Sequence, residues 1–314
     1  MTTRRTFLDI LNKCDNFHLA HSLLESTGVA NHHCSPFDAE KPNLYAFALN
    51  SSQNSPIVGL LRPSVVEQLV LEIDRSKAKG EKPVWYIHPR RSTGKPVIGF
   101  AYWLGEDAEG ERARSAAMKD MCERWRDARI FEGVIGASKW RDELYPVHID
   151  PFGPRRDQEL ETEGEINRNY AFEMERAATS LFGVVTYGVH MTIYQEVGNQ
   201  LKVWVPTRAR TKQTWGGYLD NSVAGGIPSG MPPFEALVKE SMEEASIAEE
   251  IVRVHAKAVG SISYYTRTPS GWLQPEVEYV YDLPVPPGAD PTPFTPKPLD
   301  GEVESFEVTP DCVP

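Results

Sequence analysis

The stretch that most constrains the fold is a glycine-rich turn leading into an acidic helix, residues 224–247, AGGIPSGMPPFEALVKESMEEASI. Each helical residue advances by about 100°, so residues three and four positions apart share a face. Three carboxylates have this spacing: Glu240, Glu243 and Glu244. Three apolar residues fall on roughly the opposite face and are predicted to pack against a core: Val238, Met242 and Ala245. The pattern predicts an amphipathic helix that presents clustered carboxylates.

Carboxylates crowded on one helix face repel each other, at a cost of roughly 0.2–0.5 kcal/mol for each like-charged i,i+4 pair. A hard divalent cation would reverse the sign of that interaction. Oxygen ligands on a rigid helix suit Mg²⁺ or Mn²⁺, with the phosphate oxygens of a substrate completing the coordination. The alternative is a solvated acidic face without a bound cation.

The same segment resembles the Nudix box, G-x5-E-x7-R-E-U-x-E-E-x-G-U, in which U is a bulky aliphatic residue. Gly225 falls on the first glycine, the three helix glutamates fall on box glutamates, and Ile247 falls on the closing aliphatic residue. Four positions depart from the motif: Met231 replaces the first glutamate, Lys239 the arginine, Ser241 an aliphatic residue and Ser246 the last glycine. The resemblance implies that Glu240, Glu243 and Glu244 bind the metal. Lysine lacks the bidentate fork with which arginine grips a carboxylate, so the role of Lys239 stays open.

Longer segments also resemble one eukaryotic Nudix subfamily, described as related to thiamine pyrophosphokinase, whose members carry an uncharacterised domain before the Nudix domain. The matching segments are FLDILNKCDNF, ASKWRDELYPV, WVPTRARTKQTWGGYLDNSVAGGI and LDGEVESFEV. This resemblance implies a diphosphatase acting on thiamine diphosphate and on its damaged, oxidised forms. It does not imply a kinase, because the chain has no G-x-x-x-x-G-K-[ST] loop.

Residues before the glycine turn are candidates for substrate binding. Arg208, Arg210 and Lys212 alternate, so on a strand they would share one face and could clamp a diphosphate. A solvent-facing strand edge protected by positive charge is the competing interpretation. Trp215 could stack on an aromatic heterocycle or could belong to the core. The substrate-binding set also includes the two turn glycines, Gly225 and Gly226.

The segment DGEVESF near the end of the chain contains Glu302 and Glu304. The family resemblance places a carboxylate of this segment near the metal, as a general base or an outer metal ligand. The predicted catalytic residues are therefore Glu240, Glu244 and Glu304.

Composition sets limits on the class of protein. The chain has 314 residues, 40% hydrophobic content and a net charge of −11. This charge disfavours general nucleic-acid binding and anionic membrane surfaces, and no apolar run approaches the roughly 20 residues of a membrane-spanning helix. Its four cysteines are far apart and form no C-x-x-C motif, which favours reduced thiols and a cytoplasmic location. The oligomeric state stays open.

We expect an α+β fold, with an N-terminal mixed α/β domain (1–150) and a Nudix α/β/α sandwich with a mixed sheet (151–314). The closing C-terminal helix of that sandwich is expected to be short or missing. Periodicity predicts a helix over 63–79, with Val66, Leu69, Val70 and Ile73 at helical spacing, and one over 112–129, with Met118, Met121, Cys122 and Trp125 on its apolar side. A further helix is predicted around 165–181, together with the helix that carries the glutamates. Strands are predicted over 84–88, 97–103, 184–195, 200–206, 259–267 and 276–283, and an extended segment within 140–149.

Two functional hypotheses follow. The first is a metal-dependent diphosphatase acting on thiamine diphosphate or its oxidised forms, or alternatively on a nucleoside-diphosphate-linked compound. The second is a ligand-binding module on a Nudix scaffold with weak or lost catalysis, motivated by the departures at Met231, Lys239 and Ser246. The retained glutamates favour the first hypothesis.

Overall fold

The computed structural model describes residues 14–17, 44–50, 52, 55–89, 96–105, 108–153, 169–212 and 214–310. Residues 7–13 of the segment FLDILNKCDNF and the last four residues lie outside this part. The chain forms two compact units: the first comprises residues 1–186 and 264–276, and the second 187–263 and 277–314. These units use other boundaries than the predicted domains, 1–150 and 151–314, and that division into domains stays a prediction.

The first unit is a mixed α/β structure. Its helices and strands in chain order are β1 (Tyr45–Ala48), β2 (Ile57–Leu61), α1 (Pro63–Ala78), β3 (Trp85–Pro89), β4 (Pro96–Phe100), α2 (Ala108–Asp127), α3 (Glu132–Ile135), β5 (Leu144–His148), β6 (Tyr170–Glu175) and α4 (Thr179–Phe182). One sheet has the order β2-β1-β4-β3, in which β1 and β4 run parallel and the other neighbours antiparallel. A second sheet pairs β5 with β6.

An aromatic and aliphatic core holds the first unit together. The rings of Trp85 and Phe100 stack with their centroids 4.6 Å apart, and Phe47 lies 5.7 Å from Phe100. Helix α2 contributes the side predicted for it: Met118, Met121, Cys122 and Trp125 are all buried. Helix α1 buries Val65 and Leu69, whereas the predicted Val70 is exposed.

The predicted helix around 165–181 is wrong in its described part. Residues 170–175 form β6, which pairs antiparallel with β5 from Leu144↔Glu175 to His148↔Tyr170. Helix α4 covers only Thr179–Phe182. Pairing with a strand about 25 residues away supplies the backbone hydrogen bonds that the local pattern assigned to a helix.

The second unit contains most of a six-stranded sheet. Its elements in chain order are β7 (Thr186–Val197), β8 (Gln200–Arg208), β9 (Val223–Gly226), α5 (Pro233–Ala245), α6 (Glu249–His255), β10 (Lys257–Arg267), β11 (Leu273–Pro284) and β12 (Val303–Pro310). The sheet order is β10-β11-β7-β8-β12, and β9 pairs with β7. The connection between β10 and β11, with the adjoining strand ends, belongs to the first unit.

Strands and helices are mixed in both units, and the expected α+β class is confirmed. Sheet pairing in the second unit places β9 next to a central strand, immediately before the loop that leads into α5. This arrangement positions the glutamate helix at the sheet. None of the helices in the described ranges has the length and apolar character needed to cross a membrane.

Candidate active site

The site is built where β9 meets helix α5. Strand β9 pairs antiparallel with β7, so that Gly225 lies opposite Val189 and Ala224 opposite His190. Helix α5 begins at Pro233, where a missing backbone N–H costs nothing because the first turn has no intrahelical acceptor for it. The helix then runs back along β9 and brings its glutamates to the strand.

Gly225 is required by the close approach of Glu240. A Cβ atom built on Gly225 would lie 2.1 Å from the Cγ, 2.4 Å from the Cδ and 2.9 Å from the Oε1 atom of Glu240. No side chain fits in this space unless Glu240 moves. The glycine therefore seats the Glu240 carboxylate against the strand.

Glu244 is the most buried of the three helix glutamates, with 5% of its surface exposed. The backbone N–H of Ala224 donates a hydrogen bond to its Oε2 atom at 3.2 Å. Burial raises the pKa of Glu244 to about 8, the negative charge of Glu240 adds to this effect, and the hydrogen bond from Ala224 opposes it. Burial also raises the pKa of Glu240, while the nearby Lys239 lowers it. Two desolvated carboxylates thus share this corner, an arrangement that favours uptake of a proton or a cation.

Glu243 has a different environment. The Lys239 ammonium donates to Glu243 Oε2 at 2.7 Å and to Glu240 Oε1 at 3.2 Å. Burial opposes the charged form of Lys239, but these bonds to the two carboxylates raise its pKa above the ordinary value. Glu244 is therefore buried and Glu240 largely so, with 15% of its side chain exposed, whereas the exposed Glu243 is held by Lys239. Glu240 and Glu244 are called the buried pair below. Lys239 contacts box carboxylates, as the arginine it replaces was expected to do.

The other departures from the motif have local explanations. Ser241 is fully buried, and its hydroxyl donates to the Leu237 carbonyl at 2.7 Å, which satisfies its polar group inside the helix. Ser246 adopts the left-handed conformation that ends the helix, with φ of 55°, and its hydroxyl donates to the Lys297 carbonyl at 2.9 Å. Met231 lies in the loop before the helix, where its N–H donates to the Pro228 carbonyl.

The predicted inner face of α5 is partly wrong. Val238 and Ala245 are buried, but Met242 is exposed. The buried stripe runs through Leu237, Ser241, Glu244 and Ala245. It is rotated toward Glu244, because this carboxylate turns inward to the backbone of β9.

The cationic run does not form the single strand face that alternation predicts. Strand β8 ends at Arg208, and the chain turns there, with the Lys212 N–H donating to the Ala209 carbonyl at 3.0 Å. It then folds back, and the Arg208 N–H donates to the Tyr218 carbonyl at 2.9 Å. Local hydrogen bonds of the turn replace the continued strand.

Each of the three cations has an acidic partner. Arg208 forms an ion pair with Asp220, and Lys212 forms one with Glu302. Arg210 Nε lies 3.4 Å from Glu304 Oε2, and both side chains are exposed, by 80% and 48%. The two cations therefore differ in exposure, with Arg210 at 80% and Lys212 at 23%, whereas Glu304 and Glu302 are similarly exposed, at 48% and 45%.

Glu302 is far from the helix glutamates in the sequence, but its charge acts on them in the folded protein. Its charge raises the pKa of Glu240 and of Glu244, and the charge of Lys212 lowers the pKa of Glu244. Both charges act on the buried pair. The sequence analysis predicted Glu304 as the catalytic residue of this segment. Glu302 is only two residues away, and the motif alone does not show which of the two lies nearer the site.

Trp215 is half exposed, at 49%, and has a φ of 55°. Its ring meets the ring of Tyr218 edge to face, with the centroids 5.4 Å apart. Trp215 is therefore a surface residue of the turn after β8 and not part of the buried core.

The sequence did not indicate that His190 has a buried acidic neighbour. Glu278 is buried, and its Oε2 atom lies 3.8 Å from His190 Nε2. A Cβ on Gly188 would lie 2.2 Å from the same Oε2 atom. The sequence offered one indication of this contact, because Glu278 lies within the apolar strand VEYVYDL. Alternation along a single strand does not show whether such a glutamate faces the interior or the solvent.

The donor atoms at the site fit a hard divalent cation in kind. Glu240 and Glu244 offer carboxylate oxygens, the ligands that Mg²⁺ and Mn²⁺ prefer, and a cation would relieve their mutual repulsion. In the described ranges, no three side chains of His, Cys, Asp or Glu come close enough together to hold a metal ion. The protein thus supplies two inward carboxylates, and substrate oxygens would have to complete the coordination.

Comparison with known proteins gives the site its context. The chain is 36% identical over 222 residues to Nudix hydrolase 20, chloroplastic, of Arabidopsis thaliana, which covers 71% of this chain and 50% of that protein. It is 35% identical over 191 residues to an uncharacterized protein of Saccharomyces cerevisiae, which covers 57% of this chain and 49% of that protein. A MutT/nudix family protein from Enterococcus faecalis has a TM-score of 0.32 at 16% identity, covering 41% of this chain and 45% of that chain. No protein-family model matches the sequence.

The comparisons support a relationship with the Nudix hydrolase superfamily, as the box-like segment implied. The chain spans about half the length of the curated relatives it matches.

Proposed function

We propose that this protein is a Nudix-type, metal-dependent diphosphatase that hydrolyses thiamine diphosphate or its oxidised forms to the monophosphate. The observation that carries the proposal is the buried pair Glu240 and Glu244, seated on the backbone of β9 at Gly225 and Ala224. Such a pair is costly in a metal-free protein, and phosphoryl chemistry gives it a use. The thiamine-type substrate rests on the resemblance of the flanking segments.

Glu240 and Glu244 would hold Mg²⁺ or Mn²⁺, which when bound neutralises phosphate charge and lowers the pKa of the attacking water. Glu243, the third ligand expected from the motif, would have to leave Lys239 to join them. Lys239 would position Glu240 through the hydrogen bond to its Oε1 atom. We assign the proton of the attacking water to Glu240 or Glu244, with Glu304 as the third candidate.

The cationic side chains before β9 would bind the diphosphate. Lys212 would contribute most, because its side chain is only 23% exposed and its charge lowers the pKa of Glu244. Arg208 would contribute once the substrate competes with Asp220, and Arg210 would act from the exposed side. Gly225 contributes by letting Glu240 approach β9, and Gly226 stays in the proposed substrate-binding set.

Trp215 would contact the ring of the substrate. A thiazolium carries a positive charge, and a tryptophan face attracts such a cation by about 0.5–2 kcal/mol. The half-exposed ring of Trp215 supports this role. Replacement Trp215→Ala should then change the ratio of kcat/KM between thiamine diphosphate and a purine nucleoside diphosphate. An unchanged ratio would remove Trp215 from the pocket.

A phosphate-release screen tests the proposal as a whole. The substrates are thiamine diphosphate, its oxidised analogues and common nucleoside diphosphates, each with Mg²⁺, with Mn²⁺ and with EDTA. We expect cation-dependent turnover, fastest with a thiamine-type substrate, and a loss of about 10²-fold or more in Glu244→Gln. Glu250→Gln, an exposed glutamate of α6, is the matched control and should retain wild-type turnover.

The screen also decides between the alternatives. Turnover only with nucleoside diphosphates would keep the enzyme class and reject the thiamine-type substrate. Binding without turnover would favour the ligand-binding module, and wild-type turnover in Glu244→Gln would reject the assigned site.

A cytoplasmic location is part of the proposal, although the name of the Arabidopsis relative places that protein in the chloroplast. Cell fractionation tests this part.

A further inference from the structure

We propose that Glu302 is a positioning residue of this site: it holds the Lys212 ammonium beside the buried glutamate pair, ready to accept a phosphate of the substrate. This inference rests on the proposed function. It concerns a carboxylate that the motif does not single out and that lies 90 residues from Lys212 in the chain.

Both partners are anchored by the backbone of one residue. The Ala209 N–H donates to the Glu302 carbonyl at 2.8 Å, and the Ala209 carbonyl accepts from the Lys212 N–H at 3.0 Å. The Asp300 carboxylate accepts from the Glu302 N–H at 2.8 Å, which fixes the turn before β12. The Lys212–Glu302 ion pair therefore closes a small, hydrogen-bonded frame and is not a chance meeting of two long side chains.

The frame lies at the end of β8, next to the segment that leads into β9: Val303 of β12 lies opposite Arg208, and the Asp220 N–H donates to the Pro206 carbonyl at 3.1 Å. Lys212 acts on Glu244, and Glu302 acts on both Glu240 and Glu244. Lys212 is only 23% exposed, so its charge is less screened than that of a surface lysine. A phosphate held next to Glu240 and Glu244 would thus be within the field of Lys212.

Holding Lys212 in place matters because a flexible lysine side chain loses rotamer entropy when it is fixed. Glu302 fixes the ammonium before the substrate arrives. A phosphate oxygen can then replace the carboxylate oxygen as the acceptor of the same charge-assisted hydrogen bond. The exchange breaks one N–H···O bond and forms another, and no covalent bond changes.

The half-exposed Glu302 carboxylate also repels an anionic substrate. Because the Glu302 side chain is 45% exposed, solvent screens this repulsion. Screening does not reduce the entropy that is saved by fixing the Lys212 ammonium before the substrate binds. We therefore expect the loss of Glu302 to weaken diphosphate binding.

The test is a double-mutant cycle with inorganic pyrophosphate, measured by calorimetry in EDTA, together with KM for thiamine diphosphate. We expect Lys212→Ala to raise the Kd for pyrophosphate about tenfold and Glu302→Ala to raise it by about three- to tenfold. The double variant should match Lys212→Ala within about twofold, because Glu302 acts through Lys212. Glu302→Gln keeps an acceptor oxygen and should have an intermediate effect.

Lys77 and Asp74 form an exposed lysine–carboxylate pair on α1 and supply matched controls with the same charge changes. Lys77→Ala and Asp74→Ala should leave both constants unchanged. Circular dichroism checks that every variant is folded, and Glu302→Gln replaces Glu302→Ala in the cycle if the latter does not fold.

Three results would overturn the inference: tighter pyrophosphate binding in Glu302→Ala, additive effects in the double variant, or equally strong coupling of Glu304→Ala to Lys212. Absence of pyrophosphate binding by the wild type would also overturn it. The binding arm needs no turnover. A wild type that binds pyrophosphate with the expected cycle but hydrolyses nothing therefore rejects the proposed function and keeps the role of Glu302.

Discussion

Replacing Gly225 with alanine tests the geometry of the site directly. The added Cβ would lie within 3.0 Å of three atoms of Glu240, the nearest being Cγ at 2.1 Å. Since Cγ is the atom next to the helix-anchored Cβ, the clash cannot be relieved by moving the far end of the side chain. The Glu240 side chain would have to rotate away from β9, and its carboxylate would leave the site.

The structure sets the size of the effect. Forcing one extra methyl group into a packed site typically costs about 1–3 kcal/mol, and we expect that loss in the free energy of unfolding. A catalytic group displaced by about 1 Å can cost about 10²-fold in rate, so turnover should fall at least that far. Replacement Glu240→Ala removes all three clashing atoms. In that background Gly225→Ala should cost less than about 0.5 kcal/mol, because the clashing atoms are gone and alanine restricts the unfolded chain.

Urea denaturation of the four proteins, followed by circular dichroism, gives the coupling energy between the two positions, and the phosphate-release assay gives turnover. Gly133→Ala is the control: a Cβ there meets no atom within 4 Å, and φ is not positive. It should be neutral or slightly stabilising. An equal cost of Gly225→Ala with and without the Glu240 side chain would refute the reasoning, because the clash would then lie elsewhere.

Three further predictions concern single side chains. Because the pKa of Glu244 rises from 4.5 to about 8 on folding, its stability contribution is fully present below pH 4.5 and is lost as the pH rises to about 8. Urea denaturation in EDTA should therefore show that the free energy of unfolding of Glu244→Gln rises relative to that of the wild type across this pH window, by at most about 5 kcal/mol. A difference between the two proteins that does not change with pH would contradict the pKa assignment. Lys239→Arg should keep turnover while Lys239→Ala loses several-fold, and equal kcat in all three proteins would make Lys239 a surface residue without a role. Burial raises the pKa of the Cys122 thiol to about 12, so mass spectrometry should find it unalkylated in native protein at pH 8 but alkylated in urea, whereas the exposed Cys14 should react in both.

Local patterns in the sequence were sufficient for much of the framework. The proline that opens α1, the buried side of α2 and the glycine turn before α5 all follow from short-range spacing, and the structure confirms these elements. Local spacing failed for β6, because strand pairing with β5 outweighed a helical pattern over 165–181. It also failed for the cationic run, where hydrogen bonds of a turn ended the strand at Arg208.

The sequence by itself determined that carboxylates would cluster on α5 next to a pair of glycines, because helix geometry fixes which residues share a face. Only the tertiary structure decided which carboxylates are buried. Glu244 turns inward because the N–H of Ala224, on another element, offers it a hydrogen bond, whereas Glu243 stays outside with Lys239. It likewise decided that Lys212 pairs with Glu302, since β12 joins β8 across the sheet and brings together residues that no local period relates.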